Sequence, residues 1–255
     1  FKESPVGNNF LALYDDSYIP GLKRISDGIH EHGAKASLQF GHHGLSLADP
    51  RRQEQVPHTE LMGPSAVLFA GQRAKGREMT RADIERVVSG IGEAARRAKD
   101  AGFDAVEIHA CHGRLIDQFR SAYFNRRTGE YGGSVENRAR FGCEVVSEVR
   151  RRTGPDMPII MKINGDDQFE GGLTLDETLV QAPLFAEAGA DALLVSAGVP
   201  MISESVSAMG YLDRPGALVD MAEAVKRVVK VPVIAVGRIN APLAERILRE
   251  GKADF

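Results

Sequence analysis

The stretch "EIHACHGRLIDQF", Glu107 to Phe119, sets His109 and His112 three residues apart at the end of an apolar run. Cys111 lies between them and Arg114 follows two residues later. Two imidazoles so spaced can ligate a metal, exchange protons, hold an anionic or polarised oxygen, or simply pack. A metal requires a third ligand, and HxxH at a strand end is not the helical i, i+4 pair of a zinc protease. Other chemistry-bearing residues also close apolar runs: Gln39 and His42 after "SLQF", Lys162 and Asn164 in "PIIMKING", Ser196 after "ALLV", and Gly237 with Arg238 in "VPVIAVGRIN". A buried lysine at a strand end is also what a Schiff-base aldolase requires. The glycine–arginine pair reads as a place of close backbone approach to an anion or as a plain turn. Asp166, Asp167 and Glu170 in "NGDDQFEGG" could share a metal, but a solvated loop is the simpler reading.

These residues need a frame that gathers strand ends. Variants of one phrase recur: "EHGAKASLQF", "DAGFDAVEIHA", "EAGADALLVSAG" and "EGKADF". Each closes a helical pattern, turns at a glycine suited to the left-handed position, and enters a short apolar strand. Thr80 with Asp83 opens one helix, whose Ile84, Val87, Val88 and Ile91 share a face. Thr174 with Glu177 opens another, in which Pro183 is a local misfit. "PIIMKING" and "VPVIAVGRIN" read as strands buried on both faces.

Strands alternating with helices mean an α/β fold, either an open doubly wound sheet or a (β/α)8 barrel. No strand runs into a GxGxxG turn, and polar residues cluster at the C-terminal strand ends, which a barrel gathers at one mouth. Five strands and the start of a sixth at Ala253 can be found, fewer than a closed barrel needs. The expectation is a single domain over 1–255, a TIM barrel lacking its first strand and most of its last in this chain. A strand overlooked in the 197–215 loop is the alternative.

Composition narrows the partners. The net charge of -3 gives no reason to expect nucleic acid or an acidic membrane, and "ARRAK" and "VRRR" read as solvated helix faces. No apolar run reaches the length of about 18 residues that spans a membrane. The N-terminus has no signal-type core and no initiator methionine, so the chain is expected to begin partway through a longer, cytoplasmic protein. Cys111 and Cys143 lack CxxC spacing and read as free thiols, Cys111 as a spacer between the histidines.

"HACHGRLIDQF", followed by "NRRTGEYGGSVENRARF", resembles the signature of the Old Yellow Enzyme family of FMN-dependent barrel flavoproteins. The closer likeness is to bacterial NADH:flavin oxidoreductases, including 2-enoate and 2,4-dienoyl-CoA reductases. It extends through "YDDSYIPGLKRISDGIHEHGAKASLQFGHHG", "GPSAV", "REMTRADIERVV" and "VPVIAVGRI". The resemblance implies FMN as cofactor, NADH or NADPH as reductant, and an activated C=C bond of a small enone, enoate or enoyl molecule as substrate. It leaves open amine or alcohol oxidation on the same fold, a catalytically degenerate flavin-binding subunit, and a homo-oligomer. It implies strands before and after this chain, with an iron–sulfur cluster and FAD only if a downstream region exists.

Residue by residue, the resemblance puts Gln39 at the flavin's pyrimidine edge and His42 near the flavin. Lys162 stands where many members have arginine, Ser196 joins the cofactor-binding set, and Gly237 and Arg238 meet the phosphate. His109 and His112 bind the substrate carbonyl, and no metal is implied. Arg114 replaces the usual tyrosine proton donor, and a guanidinium donates protons poorly near neutrality. The preferred reading is an altered donor together with an anionic substrate that Arg114 clamps. Tyr123 is a nearby phenol, His43 reads as loop, and Gly129 stands where an acid is common.

Overall fold

The four recurring phrases fold alike. Gly33, Gly102, Gly189 and Gly251 take φ of 74, 81, 115 and 69°, the left-handed region that a side chain resists. In this computed structural model, residues 11–47, 61–68, 76–200, 202–203 and 214–255 are described. Strands β1 (Ser37–Phe40), β4 (Ala105–Ala110), β5 (Ile159–Asn164), β6 (Ala192–Ser196) and β7 (Val233–Ala235) form one sheet in that order, every neighbouring pair parallel. Helices α1 (Ile19–His30), α2 (Arg81–Asp100), α3 (Leu115–Arg120), α4 (Val135–Thr153), α5 (Leu175–Glu187), α6 (Val219–Lys226) and α7 (Ala241–Arg249) alternate with the strands. The result is a partial (β/α)8 barrel. Asp254 and Phe255 bond to Val233 and Ala235, so the sixth strand does begin alongside β7. Residues 201 and 204–213, where another strand was the alternative, lie outside the described residues. A small parallel pair, β2 (Met62–Gly63) and β3 (Arg77–Glu78), was not expected; at two residues each it carries no periodic signal.

The two faces of β4 and β5 differ in cover. Val106, Ile108, Ala110, Met161 and Ile163 are buried against helices, while Glu107, His109, Ile160 and Lys162 on the inner face are only partly covered. Gln39, Glu107, His109 and Lys162 alternate with the buried positions.

Both capping boxes form, Thr80 with Asp83 and Thr174 with Glu177, and α5 continues past Pro183. At Gly92 the two long helices α2 and α4 come close: a Cβ there would stand 2.7 Å from Glu148 Cγ. Arg152 of α4 pairs with Glu93 of α2, and Arg96 reaches Glu93 at 2.8 Å and Asp100 at 2.6 Å. The arginine-rich runs therefore cross-link elements rather than merely facing solvent. Such exposed pairs contribute little individually, about 0–1 kcal/mol.

The most recognisable stretch is architectural. Asn125 Nδ2 donates to the carbonyls of Phe119 at 2.7 Å and Tyr131 at 2.6 Å. The hydroxyl of Tyr131 bonds Glu144 at 2.9 Å, and Ser134 caps α4. A Cβ on Gly132 would collide with the Arg127 carbonyl oxygen at 2.3 Å. Gly129 faces open space.

Asp83 concentrates the local order at the start of α2. It accepts from Arg77 at 2.6 and 3.0 Å and from the Thr80 N–H and hydroxyl at 2.8 and 2.7 Å. The Arg77 guanidinium, then the Thr80 donors, hold its carboxyl well below the usual carboxylate value of 3.8. With the folded pKa below the unfolded one, this stabilisation is complete above the unfolded value and is lost as pH falls through the folded value. Asp83→Asn should cost about 1 kcal/mol at neutral pH and flatten the acid limb of stability. Urea denaturation across pH checks this; parallel acid limbs for both proteins would refute it.

Candidate functional site

β4 ends in a strained turn. His112 and Gly113 take φ of 56 and 68°, and the other described non-glycine residues with positive φ, Gln168 at 58° and Arg238 at 49°, follow β5 and β7. Such backbone costs on the order of 1–3 kcal/mol and persists where neighbours over-determine it. They do so here. The His112 N–H donates to Asn164 Oδ1 at 3.3 Å and the Gly113 N–H to Asp117 Oδ2 at 2.8 Å. Gln118 Nε2 donates to the Gly113 carbonyl at 2.6 Å, and the Arg114 N–H closes the turn on the Cys111 carbonyl at 3.1 Å.

Beneath the turn lies a buried ionic network. The Arg120 side chain is fully buried and donates to Gln181 Oε1 at 2.8 Å, Asn164 O at 3.0 Å, Thr178 Oγ1 at 3.1 Å, Ala110 O at 3.2 Å and Asp117 Oδ1 at 3.3 Å. All five guanidinium N–H donors therefore have an acceptor. Asn164 Nδ2 stands 3.0 Å from Asp117 Oδ2 and 2.9 Å from Asp167 Oδ1. Burial, and for Asp117 the neighbouring Asp167 as well, push both carboxyls up. The solvated-loop reading fails for Asp167: it is fully buried, because Asn164 and the Leu173 N–H at 2.8 Å supply the hydrogen bonds that water would have given.

Above the turn stand the two imidazoles, edge to face with centroids 5.3 Å apart. His112 Nε2 bonds Ser196 Oγ at 2.8 Å, which places Ser196 against the histidine pair and leaves Nδ1 for a ligand. Cys111 Sγ is 3.6 Å from His109 Nδ1, so the cysteine touches its neighbour rather than merely spacing the pair. Burial lowers the pKa of His112 to about 3 and that of His109 well below the usual imidazole value. The charges of Lys162 and Arg114 add to both shifts. The rings are therefore neutral, each with one N–H to donate.

The rest of the predicted set surrounds them. Lys162 is in register with His109 across β4 and β5. Arg114 Nη1 donates to Ser46 Oγ at 2.9 Å, and that hydroxyl donates to the His43 carbonyl at 2.7 Å. Gln39 Nε2 donates to the Glu107 carboxylate. A carboxylate only accepts, so the amide nitrogen must face it and Gln39 Oε1 is left as an acceptor. His42 Nδ1 accepts from the Gly44 N–H at 2.9 Å, which puts the ring proton on Nε2. Burial lowers its pKa to about 3. Gly41 lets this loop lie against His109, since a Cβ there would stand 3.1 Å from His109 Cβ. Gly237 and Arg238 follow β7, three strands along from the histidines, where the Gly237 carbonyl accepts the Gly216 N–H at 2.9 Å. Tyr123 belongs to an aromatic group with Phe124 at 4.9 Å and Phe169 at 5.0 Å.

Sequence reasoning missed Glu107, Ser46 and Asp117. Glu107 could have been found, since it sits two residues before His109 and so faces the same side of the strand. Ser46 and Asp117 act across the fold, and their spacing carries no signal.

A flavin's pyrimidine edge presents an N–H that needs an acceptor and a locus that becomes negative on reduction and needs a cation. Gln39 Oε1 and Lys162 supply that pair, so the donor set fits the group.

Parallel strands whose C-terminal ends carry two imidazoles, a lysine and an arginine gather these groups at one end of a partial (β/α)8 barrel. The chain belongs to the NADH:flavin oxidoreductase / NADH oxidase family, whose model matches residues 2–255. It is 39% identical over 257 residues to an NADH oxidase of Thermoanaerobacter brockii, covering 98% of this chain and 38% of that protein. To an NADPH dehydrogenase of Geobacillus sp. (strain WCH70) it is 37% identical over 251 residues, 98% of this chain and 69% of that one. Its fold matches the solved complex of 2-naphthoyl-CoA reductase with 2-naphthoyl-CoA at a TM-score of 0.90 and 30% identity, covering 99% of this chain and 40% of that chain. The chain thus spans well under half the length of the first and third of these.

Removing the buried guanidinium tests the network under the turn. Arg120→Met should cost about 3–5 kcal/mol, because it leaves buried carboxyls without their cation. A loss under about 1 kcal/mol in urea denaturation would show that the carboxyls do not need it.

Proposed function

We propose that this chain forms the FMN-binding barrel of an oxidoreductase that takes hydride from NADH or NADPH and delivers it to an activated C=C bond. The observation that carries this reading is the neutral His109–His112 pair, flanked by Lys162 and Arg114, beside an acceptor at Gln39 that suits a flavin edge. FMN, when bound, supplies the hydride chemistry, receiving from the nicotinamide and giving to the substrate's β-carbon.

The chain's own groups do the rest. His109 and His112 donate hydrogen bonds to the carbonyl oxygen, draw electrons from the β-carbon and hold the charge that builds on oxygen. Being neutral, they stabilise that charge without giving up a proton. Lys162 and Gln39 hold the cofactor ring, His42 presents an N–H beside it, and Gly237 with Arg238 takes the phosphate. Arg114, tethered to Ser46, clamps a carboxylate or similar anion on the substrate, and water replaces the usual tyrosine in giving a proton to the α-carbon. The family relationship and the reductases and oxidases among the relatives support the redox class. Among the described residues no helix is long and apolar enough to cross a membrane, and the free thiols Cys111 and Cys143 suit a reducing cytoplasm.

Full-length protein should be yellow, bleach anaerobically with NADH or NADPH, and regain colour with an enone or enoate. His109→Ala or His112→Ala should lower kcat/KM about 10²–10³-fold. Bleaching that no alkene reverses would rule the alkene reaction out.

The neutral rings also make a pH prediction. Their folded pKa values lie below the usual 6.5, so the donors stay neutral across that range. The profile of kcat/KM should show no histidine inflection near 6.5; a clear acid limb there would mean that one ring is charged in the working enzyme.

Arg114→Tyr separates clamp from donor. It should raise turnover of a neutral enone and raise KM for an enoate about tenfold or more, as loss of a charge-assisted bond of about 1.5–3 kcal/mol implies. Unchanged KM for the enoate would remove the clamp.

A further inference from the structure

His109, Cys111 and His112 form a three-member group of metal-ligating side chains, the one of its kind among the described residues. Their ligand atoms all lie within 4.8 Å of one another. The HxxH spacing lacks a third ligand only while Cys111 is taken for a spacer. A tetrahedral ion bonded to sulfur at about 2.3 Å and to nitrogen at about 2.0–2.1 Å holds those atoms about 3.6 Å apart. Cys111 Sγ stands 3.6 Å from His109 Nδ1 and 4.0 Å from its Nε2, so the His109 ring must turn to aim a lone pair at a shared ion. His112, whose Nε2 is bonded to Ser196 at 2.8 Å, has up to about 1.5 Å left to close.

We propose that His109, Cys111 and His112 bind one thiophilic divalent cation, such as Zn2+ or Cd2+, at the mouth of the barrel. In binding, the metal–sulfur bond replaces the S–H bond, the proton leaves to solvent, and no electrons are transferred. The fourth position is left to water. Bound there, the cation ties up the imidazoles that would hold the substrate oxygen; this consequence rests on the proposed function, whereas the binding itself does not.

The surroundings set the kind of ion. Cys111 is fully buried, and burial pushes its thiol up, with Asp117 and Glu107 adding to the shift. Lys162 and Arg120 favour the thiolate, while Lys162 and Arg114 beside the rings repel a dication. A hard ion such as Mg2+ gains too little from two nitrogens and one sulfur to offset that repulsion. An ion with strong bonds to thiolate does gain enough.

Cd2+ is the probe, because a cadmium–thiolate bond has its own ultraviolet charge-transfer band. Titrating full-length protein should give one equivalent per chain with that band and a matching loss of alkene reduction. Cys111→Ser should abolish the band, Cys143→Ser should keep it, and His109→Ala, which retains the thiol, should weaken Cd2+ binding at least tenfold. No band in folded wild-type protein, a band that survives Cys111→Ser, or undiminished affinity in His109→Ala would each overturn the proposal. Should Cys111→Ser fail to fold, the His109→Ala arm decides. A protein that binds Cd2+ in this way yet reduces no alkene would keep the metal site and discard the proposed function.

Discussion

The working end of this barrel depends on one buried guanidinium. Arg120 joins the last carbonyls of two strands, Ala110 of β4 and Asn164 of β5, and holds Asp117 of its own helix. Through Asp117 and the Asn164 side chain it reaches the N–H groups of Gly113 and His112. The strained turn carrying the histidines thus rests on a charge that cannot leave without stranding two carboxyls in a dry pocket. An apolar core could fill the same volume, but it could not supply acceptors to amides that left-handed backbone turns away from the strand ladder. Arg138 extends the arrangement outward, donating to the Arg120 carbonyl at 2.7 Å and pairing with Glu177 in the cap of α5.

Much of the fold was legible because it is local. Gly33, Gly102, Gly189 and Gly251 mark helix ends through their own backbone preference, and Thr80 with Asp83 marks a helix start through bonds spanning three residues. Five strands followed from short apolar runs. What the letters could not show was which face of each run is covered, since Ile160 on the inner face reads the same as Ile163 on the outer. Only the helices packed outside make that distinction. β2 and β3 escaped for a related reason: two residues have no period.

The candidate site divides the same way. Gln39, His109, His112, Lys162 and Ser196 could be named because each closes a strand, and strand ends converge in a barrel. Their partners could not. Asp117 looks like any acid on a short helix until Gly113, Asn164 and Arg120 converge on it. Asp167 looks like loop until its exposure is found to be nil. Cys111 was read as filler because sequence has no way to show that its sulfur leans on an imidazole two residues back. The "YGGSVENR" run is the mirror case: the easiest stretch to recognise serves the architecture, with Tyr131 on Glu144 and Ser134 capping α4.

The electrostatic pattern at the mouth follows from where charge is placed and where it is withheld. The nearness of Lys162 and Arg114 adds to burial in keeping His109 and His112 uncharged. Four cations packed there would repel one another and would bind any passing anion tightly. In the proposed reaction, two cations and two neutral donors would leave the strongest stabilisation for an oxygen that gains charge, where preorganised N–H groups act without moving. That neutrality has a second effect: an imidazole that is not protonated keeps a lone pair. The proposed metal site would draw on the same lone pairs, with Cys111 Sγ 3.6 Å from Nδ1 and 4.0 Å from Nε2 of His109.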